Sequence, residues 1–318
     1  MLIFVDVARN DEKLDLIMDL SIVIINWNTP ALLLQCLDSV YNTKSRFDFE
    51  VIVVDNGSSD DSVFLVETRY PAVKLIKNDK NLGFARANNQ GLEIGKGRYF
   101  LLLNSDTIIL PDAIDALIQA ADCDPRVGVI GPKLLNMDGS LQKSWASFPS
   151  FLSELVGRNF RAWKPVAAFP DTFEVDWIMG ACMLVRAETI QDVGKMDEDY
   201  FFYSEETDWC FRIKKKNWKI WYLANAQIHH LGGGSTRRGS VIQLVRLYQG
   251  KLLYFRKNYG TRASTILRFG LAIVNGLGVV RRLLFINWLT RDASFERIQN
   301  QSKLVWYLLR NKYPNTNY

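Results

Sequence analysis

Short apolar runs that alternate with amphipathic stretches are the feature that most limits the fold of this chain. The amphipathic stretches show helical spacing, as at Leu33, Leu37 and Val40, whereas the apolar runs are four to six residues long. Such short runs, buried on both faces, are typical of strands in a largely parallel sheet joined by helical crossovers. The predicted strands are residues 21–25, 50–55, 74–77, 99–103, 127–130 and 220–223, and the predicted helices include residues 31–41, 85–93 and 111–121. The pattern therefore predicts an α/β fold with a mostly parallel central sheet flanked by helices.

The composition is that of an ordinary globular protein. Of the 318 residues, 48% are apolar and 23% are charged, which supplies a sizeable core and excludes collagen-like and disordered chains. The four cysteines, Cys36, Cys123, Cys182 and Cys210, lie far apart and form no CxxC pair. We therefore expect neither a disulfide framework nor a zinc cluster, and a reducing compartment fits this cysteine usage.

Charge divides the chain into two physically different regions. Residues 1–236 carry 24 Lys and Arg against 32 Asp and Glu, a balance of −8, whereas residues 237–318 carry 15 against 2, a balance of +13. We place a boundary at this change. The prediction is an N-terminal extension at 1–19, an α/β domain at 20–239 and a basic amphipathic helical region at 240–318.

The sequence predicts neither a secretory signal nor a membrane-spanning helix. Residues 1–7 form a short apolar run that acidic residues follow, which is not a signal pattern. Met18 stands just before the first predicted strand and would also serve as a start. The longest apolar stretch, residues 269–280, is bracketed by Arg268 and Arg281 and is too short to span a bilayer.

Polar clusters follow several of the predicted strands. Because ligands of open α/β sheets bind at the carboxyl ends of strands, these clusters are the candidate site. Each has an ordinary structural interpretation, such as a helix cap, a turn, a solvated helix face or a structured loop, and only their joint occurrence favours a binding site. The clusters are Asn26 with Asn28, Asp55-Asn56-Gly57-Ser58, Asn104-Ser105-Asp106, Glu205-Glu206-Thr207-Asp208, and the histidine pair His229-His230.

Several common site motifs are missing from the sequence. It contains no GxxxxGK[ST] phosphate loop, no GxGxxG after the first strand and no GxSxG nucleophile elbow. P-loop, dinucleotide-binding and serine-hydrolase functions are therefore not expected.

Seven segments, in this order, resemble family 2 glycosyltransferases of the GT-A (nucleotide-diphospho-sugar transferase) fold, and among them the bacterial rhamnosyltransferase type. The resemblance covers roughly residues 20–260. It implies inverting transfer of a sugar from a nucleotide-diphosphate donor, usually with a bound Mg²⁺ or Mn²⁺. The segments are SIVIINWN (21–28), VIVVDNGSSDDS (51–62), NLGFARANNQG (81–91), FLLLNSD (100–106), DWIMGACMLVR (176–186), FFYSEETDWCFR (201–212) and HHLGGGS (229–235).

The resemblance also implies roles for individual residues. Glu206 is implied as the catalytic base, where many relatives have Asp, and Asp106 and His230 as the groups that hold the metal. Asn104 stands where a full DxD motif has its first acid, so this motif supplies less negative charge. The remaining implied contacts are Asn28, Asp55, Asn56, Arg86, Asn104 and Ser105 for the donor, and Asp176, Trp177 and Gly180 for the acceptor side. For Arg86, as for Arg237 and Arg238, an ordinary surface cation is the more common interpretation.

The chemistry of such a transfer needs the same residue types. An acceptor hydroxyl must lose a proton to a base, and the departing diphosphate must be stabilised by positive charge. One carboxylate and one cation held by hard oxygen ligands meet these needs. We therefore expect a hexosyltransferase, with rhamnose from dTDP-rhamnose as the best single candidate and a cell-surface or polyprenyl-linked glycan as acceptor. The alternatives are a degenerate nucleotide-sugar-binding or scaffolding protein, which Asn104 would suit, and a nucleotidyltransferase on a similar scaffold.

The basic region at 240–318 admits three interpretations. Basic amphipathic helices lie on anionic membrane surfaces, bind nucleic acid, or pack on a catalytic domain or a second subunit with their cations in water. For a transferase that acts on lipid-linked glycans we favour the first. The prediction is peripheral attachment to the inner face of the cell membrane, in the cytoplasm, with no nucleic-acid partner.

Overall fold

A four-stranded parallel unit forms the first part of the computed structural model, which describes residues 18–156, 172–232, 240–284 and 291–310. Its strands are ordered β3-β2-β1-β4 and are all parallel, so that Asn26 lies opposite Asp55 and Ile25 opposite Asn104. The carboxyl ends of these strands therefore meet at one edge. The elements are β1 (Leu20–Asn26), α1 (Pro30–Tyr41), β2 (Phe49–Asp55), α2 (Ser62–Arg69), β3 (Lys74–Lys77), α3 (Phe84–Ile94) and β4 (Tyr99–Asn104).

The sheet continues beyond β4 as a mixed sheet. The order there is β4-β11-β6-β12-β5, in which β11 runs antiparallel to β4 and β6 while β12 runs parallel to β6. A separate pair, β8 with β10, lies off this sheet. The elements are β5 (Thr107–Ile109), α4 (Ala113–Cys123), β6 (Val127–Leu135), β7 (Leu141–Gln142), β8 (Trp145–Ala146), α5 (Phe151–Leu155), β9 (Thr172–Glu174), β10 (Trp177–Ile178), β11 (Cys182–Arg186), α6 (Ala187–Val193), α7 (Glu205–Lys215) and β12 (Lys219–His230).

Helices cover both faces of the sheet. The apolar stripe of α1, which includes Leu33 and Leu37, packs with α4 on one face, and the Trp209 side of α7 packs with α3 on the other. Strands that are buried on both faces are apolar along their whole length, which is why they read as continuous apolar runs. The fold is a GT-A-type α/β sheet flanked by helices, as predicted.

Three predicted elements differ in their bounds by more than one residue. The strand predicted at 127–130 runs to Leu135 as β6, because it pairs with β12 and β7 along the added stretch. The helix predicted from residue 111 begins at Ala113, because Asp112 adopts the left-handed conformation (φ 62°) and so cannot belong to the first helical turn. The strand predicted at 220–223 extends to His230, because β12 gains pairing partners in both β6 and β5 along that stretch. The histidine pair therefore lies on a strand and not in the loop after it.

Three helices make up the described part of the basic region: α8 (Val241–Tyr259), α9 (Thr261–Leu284) and α10 (Arg291–Arg310). They share a small core of their own, to which Leu252, Leu271 and Leu308 contribute, and Tyr200 from the preceding domain joins it. The helical prediction for this region is confirmed where the structure describes it.

The length of α9 corrects one expectation. Its 24 residues, about 36 Å at 1.5 Å per residue, make it the one described helix long and apolar enough to cross a bilayer. Residues 269–280 alone are too short to span a bilayer, but the helix continues beyond this apolar stretch on both sides. This property concerns length and composition alone, and core helices of soluble proteins share it.

Candidate active site

Four side chains at the carboxyl ends of β1, β2 and β4 form a buried hydrogen-bond chain. The Asn26 amide donates to Asp55 Oδ1 at 2.9 Å, and Asn26 Oδ1 accepts from the Thr29 hydroxyl at 2.8 Å. The Thr29 hydroxyl lies 3.0 Å from the Ser105 hydroxyl. Asp55 Oδ2 also accepts the Ser58 backbone N–H at 2.9 Å. These bonds fix the three strand ends relative to one another, and the Asp55 carboxyl group keeps acceptor capacity beyond them.

The Asn56 side chain makes its hydrogen bonds to other groups of the protein. Its amide nitrogen donates to Asn81 Oδ1 at 3.0 Å and to the Gly83 carbonyl at 3.2 Å. Its oxygen accepts from the Leu82 N–H at 2.9 Å and from the Asn78 amide at 3.2 Å. All four hydrogen-bonding positions of this buried side chain are filled, so the Asn56 side chain holds the loop after β2.

Asn28 and Arg86 are the exposed members of the predicted donor set. Asn28 adopts a left-handed conformation (φ 52°), and its Oδ1 accepts the Ser59 N–H at 2.8 Å while its own N–H donates to Ser58 Oγ at 2.9 Å. Arg86 Nε pairs with Glu198 Oε2 at 2.9 Å on the surface. A phosphate contact at Arg86 would therefore require release from this ion pair.

Strand register brings Asp106 to His230. Because β5 runs antiparallel to β12 with Thr107 opposite His230, Asp106, one residue earlier, stands beside the histidine. The Leu231 N–H donates to the Asp106 carbonyl at 3.0 Å and closes this junction. The result is a distance of 3.3 Å between Asp106 Oδ1 and His230 Nε2, with both side chains about nine-tenths buried.

Gln142 determines which nitrogen of His230 carries the proton. The Gln142 amide nitrogen donates to the His230 carbonyl at 3.2 Å and to Asn136 Oδ1 at 3.0 Å, so Gln142 Oε1 must face His230 Nδ1, at 2.5 Å. Nδ1 therefore carries a proton, and Nε2 is the ring nitrogen that faces Asp106. His229 also donates from Nδ1, to the Asn136 carbonyl at 2.9 Å.

The Asp106–His230 pair fits a divalent cation. Asp106 Oδ1 and the Nε2 atom of a neutral His230 ring are both metal-ligand atoms, and at 3.3 Å from each other they can bind one cation together. A ligating histidine characteristically donates its other N–H to a fixed acceptor, as His230 does to Gln142. Within the described ranges no three His, Cys, Asp or Glu side chains form a complete metal cage. Two protein ligands suit Mg²⁺ or Mn²⁺, which take their remaining ligands from phosphate and water.

The two adjacent glutamates begin α7 after a strained turn. Tyr203 and Ser204 both have positive φ, 76° and 75°, which costs about 1–2 kcal/mol for each non-glycine residue. Glu205 is 4% exposed, and its Oε2 is buried without a hydrogen-bond partner. Burial, together with the charge of Glu206, raises the pKa of Glu205 well above its usual range. Glu206 is half-buried, so the helix turns the two carboxyl groups into different surroundings.

The segment of Gly180 and Ala181 lies close to Glu206 and is hydrogen-bonded to the end of β4, two residues before Asp106. A Cβ placed on Gly180 would lie 3.8 Å from Glu206 Cβ, and the next residue, Ala181, accepts the Asn104 N–H at 3.0 Å. Gly180 thus lies beside Glu206, and its neighbour Ala181 is bonded to the end of β4. A Cβ at this position would also lie 3.2 Å from Phe84 Cε1, closer than an ordinary van der Waals contact, so the packing here favours glycine.

Asp176 and Trp177 anchor the segment that carries Gly180. Asp176 accepts the Phe148 N–H at 2.9 Å, and Lys214 Nζ lies 3.4 Å from its other oxygen. The Trp177 ring is buried, and its Nε1–H donates to the Ser147 carbonyl at 3.1 Å. Of the three predicted acceptor-side residues, Gly180 is the one placed against Glu206.

Sequence reasoning gave no role to two residues that shape the site. Asn26 belongs to one of the predicted polar clusters, but only the structure shows that its side chain links Asp55 to Thr29. Gln142 gave no signal, because the residue that it orients, His230, lies 88 positions away. Arg237 and Arg238 lie outside the described residues.

The chain is similar in sequence to several known proteins. The glycosyl transferase family 2 profile matches residues 21–194. An N-acetylglucosaminyl-diphospho-decaprenol L-rhamnosyltransferase of Mycobacterium tuberculosis is 30% identical over 225 residues, which cover 64% of this chain and 73% of that protein. A low-salt glycan biosynthesis hexosyltransferase, Agl10, of Haloferax volcanii is 25% identical over 278 residues, 84% of this chain and 85% of that protein.

Solved structures show the same fold. The mannosyltransferase PcManGT of Pyrobaculum calidifontis, in complex with GDP-Man and Mn²⁺, matches 92% of this chain and 88% of its own with a TM-score of 0.57 and 16% identity. GalNAc-T7 with UDP, GalNAc and Mn²⁺ matches 76% of this chain and 51% of its own, with a TM-score of 0.55 and 13% identity. At these identities the likeness concerns the GT-A fold.

Proposed function

Because this chain belongs to glycosyltransferase family 2, we propose that it transfers a single sugar, rhamnose from dTDP-rhamnose, onto a lipid-linked glycan precursor of a cell-surface polysaccharide. The observation that carries the proposal is the line of residues that runs from Glu206 past Gly180 to Asn104 and Asp106. In our proposal, Glu206 at one end of this line accepts the proton and Asp106 at the other end holds the cation. The name of the mycobacterial relative supports the choice of rhamnose and of a polyprenyl-diphosphate acceptor.

The residues of this site divide the work between donor and acceptor. In our proposal Asp55 accepts a hydrogen bond from the nucleoside base, with its orientation fixed by Asn26. Asn28, at the exposed rim, contacts the nucleoside, and Asn104 and Ser105 contact its ribose. Asn56 contributes indirectly, because its side chain holds the loop after β2. Arg86 makes no donor contact in this proposal and stays paired with Glu198.

On the acceptor side, Glu206 takes the proton of the attacking hydroxyl. Gly180 leaves room for that hydroxyl beside Glu206, and Asp176 and Trp177 hold the Gly180 segment in place. Asp106 and His230 hold the cation, and Gln142 keeps the His230 lone pair directed at it. A bound Mg²⁺ or Mn²⁺ supplies Lewis-acid stabilisation of the diphosphate leaving group.

We also propose that the protein lies on the inner face of the cell membrane. One face of α9 exposes large apolar side chains at helical spacing, while its opposite face packs on α8 and α10. Arg262, Arg268, Arg281 and Arg282 flank this stripe, and basic residues outnumber acidic ones by 15 to 2 over residues 237–318. This combination suits a helix that lies in the plane of an anionic surface. The exposed stripe consists of Ile266, Phe269, Ile273, Leu277, Val280 and Leu284.

The transfer is tested with a panel of nucleotide sugars, Mn²⁺ and a polyprenyl-diphosphate acceptor, with release of nucleoside diphosphate as the readout. We expect release with dTDP-rhamnose, its loss in Asp106→Ala, and its loss with excess chelator. Full activity of Asp106→Ala, or of the wild type in chelator, would contradict the metal-assisted reaction. If nucleoside diphosphate were released only with a different sugar nucleotide, the protein would still be a glycosyltransferase, but its donor would not be dTDP-rhamnose.

The membrane proposal is tested by flotation with vesicles. We expect binding that needs anionic lipid and weakens at high salt, because each basic residue near an anionic surface is worth only about 1 kcal/mol and salt screens it. Binding should also fall in the double variant Ile273→Glu, Leu277→Glu, which puts charge into the apolar stripe. Equal binding to neutral and anionic vesicles would contradict the electrostatic part. No binding at all would favour packing of the stripe against a second protein surface. Point substitutions are preferred to truncation at Gly239, since truncation also removes α8.

A further inference from the structure

The loop before the two glutamates, residues 200–204, needs outside support. Two consecutive non-glycine residues with positive φ, Tyr203 and Ser204, set the direction in which α7 begins. Such conformations persist only when the surroundings enforce them. The position of Glu206 therefore depends on whatever holds this loop.

Helix α8, from the basic region, makes a close contact with the strained residues. A Cβ placed on Gly250 would lie 2.2 Å from the Tyr203 carbonyl oxygen, far inside contact distance, so the backbone of α8 touches the loop directly. The Gln243 amide donates to the Tyr203 hydroxyl at 2.9 Å, and the Arg246 guanidinium lies 4.5 Å above the Phe201 ring. Three successive turns of α8 thus contact the loop.

The other side of the loop rests on the start of α3. The Phe84 N–H donates to the Phe201 carbonyl at 2.8 Å, and a Cβ placed on Gly83 would lie 2.6 Å from the same oxygen. The loop is held between two helices, and a glycine at each contact permits the close approach. Displacement on one side is therefore resisted by the other.

The end of α8 secures the flanks of the loop. Lys257 pairs with Asp197 and, at 2.6 Å, with Asp199. The Asn258 amide donates to Asp208 Oδ1 at 2.9 Å, on the first turn of α7. The buried Tyr200 hydroxyl donates to the same oxygen at 3.2 Å. Both sides of the Glu205–Glu206 pair are thereby tied to α8.

From these contacts we propose that α8 is the positioning element of the catalytic base, with Gly250, Gln243 and Tyr203 as positioning residues. The inference rests on the proposed function, in which Glu206 takes the acceptor proton. It assigns the first helix of the basic region to the reaction, in addition to any membrane role of α9. Displacement of the loop would misplace Glu206. It would leave Asp55, Asp106 and His230 in place, because they lie at the end of β2, in the turn after β4 and at the end of β12.

The test compares two helical glycines. Gly250→Ala introduces the Cβ that meets Tyr203, whereas Gly276→Ala on α9 introduces one with no atom within 4 Å. We expect kcat of Gly250→Ala to fall about 10- to 100-fold, because small misplacements of catalytic groups cost this much. Donor KM and the donor Kd should change by less than about twofold. Gly276→Ala should retain the wild-type kcat.

A second pair of variants keeps the proposal testable if Gly250→Ala fails to fold. Tyr203→Phe and Gln243→Ala remove the same hydrogen bond, so each should lower kcat at unchanged donor Kd, and the double variant should fall no further than the worse single one. A merely structural role would change the melting temperature and leave kcat of the folded fraction intact.

Two results would overturn the proposal, and they are distinguishable. If Glu206→Gln is inactive while Gly250→Ala and Tyr203→Phe keep the wild-type kcat, α8 only packs on the domain and the proposed function stands. If Glu206→Gln itself keeps the wild-type kcat, Glu206 is not the catalytic base. The proposal that α8 positions this base then fails together with the proposed function.

Discussion

The most informative perturbation is to neutralise the two adjacent glutamates one at a time. Successive residues of a helix point about 100° apart, so only one of the pair can face the acceptor hydroxyl. Glu206 is half-buried next to Gly180, whereas Glu205 is buried away from solvent. The two carboxyl groups should therefore fail in different ways.

Glu206→Gln should lose the reaction and keep donor binding. Loss of a general base costs about 10²–10⁴ in rate, which corresponds to about 3–5 kcal/mol of barrier. Single-turnover transfer measures this loss, and binding of the nucleotide sugar measures donor affinity. Glu206→Asp should retain part of the rate, because it keeps a carboxylate on a shorter arm. Removal of the Glu206 charge should also stabilise the folded protein at neutral pH, since that charge raises the pKa of Glu205.

Glu205→Gln should keep much of the activity and change how stability depends on pH. Burial, and then the charge of Glu206, raises the pKa of Glu205 in the folded state, so the folded protein holds a proton that the unfolded chain releases above about pH 4.3. Between the unfolded and folded pKa values, the wild type loses about 1.4 kcal/mol of unfolding free energy per pH unit as the pH rises. Glutamine does not titrate, so the advantage of Glu205→Gln in urea denaturation should grow from pH 5 to pH 8.

Two outcomes would refute this reasoning. If Glu205→Gln were inactive and Glu206→Gln nearly normal, with both folded and binding donor equally, the base would be the neighbouring residue. If the stability difference between Glu205→Gln and the wild type were constant from pH 5 to pH 8, the buried carboxyl group would not hold the extra proton.

Three further substitutions test the surroundings of the site. Gln142→Leu should weaken Mn²⁺ binding about 10–100-fold, measured by titration calorimetry, because His230 loses the acceptor that orients it; unchanged affinity would contradict this. Asn56→Ala should lower the free energy of unfolding by about 1–3 kcal/mol in urea, since it leaves buried backbone partners unpaired; a neutral effect would show that the loop relaxes. Arg86→Ala should cost less than about 1 kcal/mol and leave donor KM unchanged, as an exposed pair with Glu198 predicts, and a large rise in KM would instead identify a phosphate contact.

The sequence by itself determined six of the twelve described strands, three of the helices between them and the edge at which the site forms. Strands such as 50–55 are buried on both faces, so their apolar character is local information, and the change to Asp55-Asn56 at the strand end marks the ligand edge. The motif segments added the family and the order of the site residues, from Asp55 through Asp106 to His230. These features depend on residues that are neighbours in the chain.

Only the tertiary structure decided which of these residues meet and what each one does there. The register of β5 on β12 brings His230, and not His229, to Asp106. The pairing of Gln142 with His230, across 88 positions, is set by β7 lying beside β6 and has no local signature. The contact of Gly250 with Tyr203 depends on how α8 returns to the domain, which the charge change near residue 239 does not encode. Long-range contacts depend on packing and register, and for that reason the sequence predicted the site residues but not the groups that hold them.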